Sequence, residues 1–129
     1  MANLVAIQEL VNGPRNLVLK LDIEAGVAPE QLDELLVEVG NFNCGSVRLD
    51  GIQGNLETFS VNLLWDGATE AELFNILPDL DQNYDWSKHG GLTNPKVAGY
   101  TGDVRMKTLG MAEAEKASLV FHFIKKDIP

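Results

Sequence analysis

Phe59-Ser60-Val61-Asn62-Leu63-Leu64-Trp65-Asp66-Gly67 is the stretch whose reading decides the fold. Side chains alternate sides along an extended chain. Phe59, Val61, Leu63 and Trp65 therefore share one face, and Ser60, Asn62 and Leu64 the other. Asp66-Gly67 then turns the chain, because Gly accepts positive φ and Asp bonds its own downstream backbone. The pattern predicts a central strand of a β domain, with a tryptophan closing the core at its end.

The same period recurs on both sides. Upstream, Leu17, Leu19, Leu21 and Ile23 face one way while Lys20, Asp22 and Glu24 face the other. Asn12-Gly13-Pro14-Arg15 before it is a turn signal, and Leu4 to Val11 is apolar enough for a strand or a short helix. Val47, Leu49 and Gly51 alternate with Arg48, Asp50 and Ile52, and Gly54-Asn55 reads as the turn that follows. Downstream, Ala71 to Leu77 is an apolar run stopped by Pro78, and Val104, Met106 and Thr108 alternate with Arg105 and Lys107 up to Gly110. In the last strand Leu119, Phe121 and Phe123 face one side, Val120, His122 and Ile124 the other. Both of its faces are largely apolar, so it is either central or covered by another chain.

Pro29 to Val39 reads two ways. Pro29 suits a first helical position, and Leu32, Leu35, Leu36 and Val39 recur at helical spacing, whereas Leu35 to Val39 also suits a strand. The expectation is one short helix near 29–36 running into a strand. Asp85 to Gly99 is rich in Gly, Asn and Pro and reads as a long ordered loop pinned by Trp86. About seven to nine short strands separated by turns predict an all-β chain, a single-domain antiparallel β-sandwich or jelly roll spanning 1–129.

Composition narrows the function. A chain of 129 residues buries about two-thirds of its unfolded surface without disulfide or metal. Cys44 stands alone, which excludes an intrachain disulfide framework. Met1-Ala2-Asn3 opens no signal peptide and no apolar run reaches a bilayer-spanning length, which predicts synthesis in a cytoplasm. A net charge of −9 argues against nucleic acid and anionic lipid as partners.

No catalytic motif emerges. Asp79, Asp81, Asn83 and Asp85 follow the opening of a calcium loop, but Tyr84 stands where that motif needs Gly and Gly90 where it needs Glu. An acidic surface loop is the preferred reading, with no metal or cofactor expected. Ser60, Ser87 and Ser118 lack a nucleophile-elbow setting, and Ser87 with His89 lacks an orienting carboxylate. Gly90-Gly91, Gly99 and Gly102 are not followed by the Lys-Ser/Thr of a phosphate loop. The chain is read as no enzyme.

Several phrases in a fixed order carry a resemblance: Gly13-Pro14-Arg15-Asn16, then Leu63-Leu64-Trp65-Asp66-Gly67-Ala68-Thr69, Asp85-Trp86, Gly90-Gly91-Leu92-Thr93-Asn94, Thr101-Gly102-Asp103, and a closing apolar strand ending Lys125-Lys126. From Gly13 to Lys126 the chain resembles small virion structural proteins of tailed bacteriophages and prophages. That resemblance implies a β-sandwich that decorates or cements the head, a homo-oligomer with a trimer favoured, and the major capsid protein as partner. The implied location is the capsid surface of the virion, after synthesis in the bacterial host. On this reading Trp86, Leu92, Asn94 and Tyr100 meet the capsid or a neighbouring protomer. Phe121, His122 and Phe123 compete for the subunit interface, with core packing the rival role of both phenylalanines. The alternatives are a tail or baseplate component and a carbohydrate-binding receptor-recognition sandwich, the latter using Trp65, Tyr84 and Trp86 to stack on sugars.

Overall fold

In the computed structural model, which describes residues 3–27 and 31–128, the alternation of Leu17, Leu19, Leu21 and Ile23 is that of strand β2 (Asn16–Glu24), with all four side chains buried. The chain before it, β1 (Leu4–Asn12), is a strand and not a helix, and it returns through the Asn12–Arg15 turn to pair antiparallel with β2. The remaining strands are β3 (Asp33–Val37), β4 (Ser46–Leu56), β5 (Ser60–Gly67), β6 (Ala71–Ile76), β7 (Asp79–Asp85), β8 (Leu92–Thr93), β9 (Tyr100–Leu109) and β10 (Lys116–Lys126).

Their pairing is nested. β5 pairs with β6, β4 with β7, β3 with β9 and β2 with β10, all antiparallel. The chain is thus one long hairpin with its tip between β5 and β6, rolled up so that its length divides into two sheets. One sheet runs β1-β2-β10-β4-β7 with β8 beside β4, and the other runs β3-β9-β5-β6. This is the strand order of a jelly roll, a double-sheet architecture that buries one face of each sheet. β1 is an addition outside the nested pairs, and that position matters below.

Between the sheets lie Phe59, Val61, Leu63 and Trp65 from the organising stretch, facing Leu17, Leu19, Leu21, Leu119, Phe121 and Phe123 from the opposite sheet. All ten belong to one contiguous buried cluster. β10 is central in its sheet, flanked by β2 and β4, with one face buried and the other half-buried. Its end is fastened by Lys125, 7% exposed, whose Nζ donates to Asn12 Oδ1 at 2.6 Å in the first hairpin.

Several expectations need correction, among them the turn at Asp66-Gly67, which lies inside β5. Asp33–Val37 is an edge strand, so the helix expected near 29–36 does not form over residues 33–36; residues 29 and 30 lie outside those described. The ladder with β9 shifts register between Leu35 and Val37, and consecutive Leu36 and Val37 are both buried. A bulge of this kind breaks the period of two and mimics helical spacing. Gly54-Asn55 makes no turn but lies inside β4, where Gly54 has φ +135° and abuts the backbone of Ser118 and Leu119. Asp79 to Asp85 is likewise no loop: it is strand β7, paired with β4.

A second bulge sits in β4. Ile52 pairs with Phe121 and Leu49 with Phe123, so one more residue lies between them on β4 than on β10. The inward face of β4 switches from Val47 and Leu49 to Ile52 and Leu56, all buried. The alternation that placed Ile52 on the outer side is overturned at this point. The carbonyl of Asp50, inside the bulge, accepts the Trp86 N–H at 2.7 Å.

Candidate functional site

The segment after β7 is built from short-range backbone bonds. Asp85 Oδ1 accepts both the Ser87 N–H (2.9 Å) and the Ser87 hydroxyl (2.6 Å), which starts a single 3-10 turn, Ser87–His89. The Trp86 carbonyl closes it by accepting the His89 and Gly91 N–H groups, each at 2.9 Å. Leu92–Thr93 then lies along β4 opposite Leu49 and Arg48. Gly91, at φ +72°, lets the chain pass tightly over Arg48 and Asp50. Beyond it Asn94 Oδ1 accepts the Lys96 N–H at 2.9 Å, and Lys96 reaches Asp127 at 3.0 Å. The segment expected to be a loop contains a 3-10 turn and a short strand.

Of the residues singled out for contact, Trp86 is half-buried and engaged in an aromatic cluster. It stacks on Tyr84 (centroids 5.6 Å apart, 3° between planes), and both rings meet Phe74 of β6 edge-on at 5.0 Å. These rings bridge the outermost strands of the two sheets, so Trp86 pins the margin of the sandwich. Leu92 packs partly buried against the core, Asn94 is half-buried and Tyr100 is 41% exposed. Phe121 and Phe123 are corrected outright. At 0% and 1% exposure they are core residues, and their rings offer nothing to a partner. Trp65 is buried too, which removes it from the sugar-stacking alternative.

His122 alone of the β10 candidates reaches the outer face, where it pairs with Val18 of β2 and Gly51 of β4. It borders a groove of ≈ 320 Å³ whose polar lining includes Asn16, Asp50, Gln53, Asn83 and Asp85. His122 Nε2 is enclosed with no hydrogen-bond partner. The Asp85 carboxyl is held below its ordinary value, first by the Ser87 hydroxyl and amide and then by the charges of Lys88 and His122. The polar lining of the groove thus includes amides and carboxylates, Asp85 among them. It suits hydrogen bonding to a neutral polar group.

The calcium-like spacing loses its meaning in a strand. Asp79, Asp81, Asn83 and Asp85 alternate along β7, and alternate strand residues stand about 6–7 Å apart, too far for all of them to wrap one ion. Among the described residues no cluster of three or more His, Cys, Asp or Glu side chains is placed to hold a metal. Ser87 spends its hydroxyl on Asp85, and no bond joins it to His89 among the described residues. Cys44 is buried, and burial pushes its thiol pKa up, against the lowering effect of nearby Lys125.

One cluster escaped the sequence reading. On the outer face of the second sheet, Arg105 bonds Asp33 at 2.8 Å and Asp66 at 3.0 Å, while Lys107 bonds Glu70 at 2.8 Å. Thr101 Oγ1 donates to Asp66 Oδ2 at 2.9 Å. The partners come from β3, β5, β9 and the tip of the hairpin, and no local spacing announces them. Burial by itself would raise the Asp66 pKa, but the bonds from Arg105 and Thr101 and the Arg105 charge bring it below the ordinary value. A carboxyl whose folded pKa is depressed contributes stability above its unfolded pKa, about 4, and loses it as pH falls through the folded value. Asp66→Asn is expected to lower the melting temperature at pH 7 and to flatten its fall below about pH 4, measured by thermal unfolding across pH. Equal acid slopes for the two proteins would disprove the role of this carboxylate.

No family model matches this chain, nor does any curated protein or solved structure.

Proposed function

We propose that this chain is a non-enzymatic structural component of a tailed-phage virion, a decoration or cement protein that binds the major capsid lattice and stabilises the head. The observation that carries the reading is a jelly roll with large apolar side chains exposed along one edge strand. The ordered phrases from Gly13 to Lys126 support it from the sequence side. Jelly rolls frame viral coat proteins as well as lectins, so the fold contributes only by analogy. An acidic exterior, with net charge −9, suits a component that need not touch DNA.

The mechanism is mass action. A protein that binds the assembled shell but not its dissociated subunits shifts the equilibrium toward the shell. Self-association would join weak single contacts into a tight attachment. Tyr100 and the 86–94 segment are the proposed capsid contacts, with His122 on the outer sheet face.

The groove beside His122 favours a second reading, carbohydrate recognition at a receptor-binding tip, because amides and carboxylates are the groups that bond sugar hydroxyls. Cryo-electron microscopy of virions carrying this protein separates the two. Density over the icosahedral shell is the expected result; density confined to the tail would overturn the cement reading in favour of the second or of a baseplate role.

A further inference from the structure

Among the described residues β1 and β7 end the first sheet, where the two-residue β8 also pairs on one side only, and β3 and β6 end the second. A strand at an edge offers unpaired N–H and C=O groups in the repeat of another extended backbone, and proteins usually guard such edges with charge, proline or cover. The edges of β7 and β3 are charged, and β6 is engaged through a side chain. β7 carries Asp79, Asp81 and Asp85, and β3 carries Asp33 and Glu34. β6 is tied through Phe74 to the rings of Tyr84 and Trp86.

β1 is unguarded. Its nine residues, Leu-Val-Ala-Ile-Gln-Glu-Leu-Val-Asn, include one charge, Glu9, and neither lysine nor proline. Among the described residues it pairs with β2 on one side only. Because β1 lies outside the nested jelly-roll pairs, no strand of the second sheet is its counterpart. Ile7 faces the same side as core residue Leu21, its partner in the ladder, yet stays 41% exposed. Leu4, Leu10 and Val11 are exposed as well.

Self-complementarity of the strand points to a second copy as the occupant. Two copies of a chain with net charge −9 repel in general, and a two-fold interface must be complementary to itself. An edge bearing several carboxylates fails that condition, whereas β1 meets it. Residues opposed in an antiparallel ladder share a face, so a two-fold axis at Ala6 sets Val5 against Ile7 twice and Leu4 against Gln8. Glu9 then meets Asn3, and no carboxylate of β1 opposes another. The register shift between Glu9 and Val11 leaves the regular part of the strand, Leu4 to Glu9, for this pairing.

We infer that the free edge of β1 pairs antiparallel with β1 of a second copy, joining two first sheets into one continuous sheet across a two-fold axis. The arrangement makes dimers, and a three-fold assembly would have to use other surfaces. It does not depend on where the protein sits in a virion.

Sedimentation velocity of the whole chain across a wide concentration range tests it. A monomer–dimer equilibrium is expected, with Ile7→Lys weakening it by at least about tenfold through two ammonium groups brought to the seam. Leu109→Lys, at a residue 73% exposed on the second sheet, should leave the dimer intact. Melting temperatures verify that both variants fold, and amide exchange should slow in β1 as concentration rises. A chain monomeric throughout overturns the inference, as does a dimer indifferent to Ile7→Lys or a trimer. Amides of β1 protected only when capsid protein is added would also overturn it, since the strand on β1 would then come from another chain.

Discussion

Gly54→Ala is expected to leave the protein unfolded or at least about 4 kcal/mol less stable, a loss in the exceptional tail for single substitutions. Two independent obstacles meet at this position. The backbone sits at φ +135°, a conformation that L side chains rarely adopt, and a Cβ there would land on the Ser118 carbonyl oxygen and within 3.0 Å of Leu119 Cα. Relief would require β4 to move away from β10. β10 is held by β2 on its other side, so yielding would break the centre of the sheet. Gly40→Ala supplies the contrast, because nothing lies within 4 Å of its Cβ position and its φ is outside the left-handed range. That variant should stay within about 0.5 kcal/mol of the parent. Urea unfolding of the two variants decides the matter, and comparable midpoints would show that the close approach at Gly54 has been misread.

The second large effect is expected at Phe121. Its ring is fully buried, 6.1 Å from that of Phe123 and facing the opposite sheet, so Phe121→Ala should cost about 3–5 kcal/mol from lost transfer energy and the cavity left behind. His122→Ala, one residue away on the outer face, should change stability by less than about 1 kcal/mol, since its Nε2 has no bond to lose. The pair separates packing from contact. A proposed capsid or ligand surface at His122 predicts lost binding at nearly unchanged stability, whereas Phe121→Ala weakens the isolated chain itself. Equal stabilities for the two variants would contradict the assignment of Phe121 to the core.

How far the fold was legible follows from where alternation survives. β2, β9 and β10 keep a regular period of two over their buried stretches, with one face on the core. In β10 the same alternation separates Phe121 and Phe123 inside from His122 outside. The misreadings coincide with irregularities. A bulge in β3 buries Leu36 and Val37 together and produces helix-like spacing. A bulge in β4 moves Ile52 inward. Gly54-Asn55 has turn composition but serves a close approach, and the acidic β7 reads as a loop because its alternate positions are polar and its place at an edge is invisible locally.

The candidate surfaces were less legible than the fold. Trp86 was correctly singled out as a pin, but its partners Phe74 and Tyr84 are joined to it only when the margins of two sheets meet. The ion-pair network of Arg105 with Asp33 and Asp66 depends on pairings across most of the chain. Exposure of Ile7 follows from β1 being one strand more than the opposing sheet can cover.

By itself, then, the amino-acid order determined that the chain is all-β and which side chains of its regular strands turn inward. Alternation is a property of one extended backbone and needs no partner to be read. Only the tertiary structure decided the nested strand order, the bulges of β3 and β4 and the position of β1 at the end of its sheet. Those depend on which distant backbones meet, and the hydrogen bonds and close approaches that choose them join residues such as Asn12 and Lys125 from opposite ends of the chain.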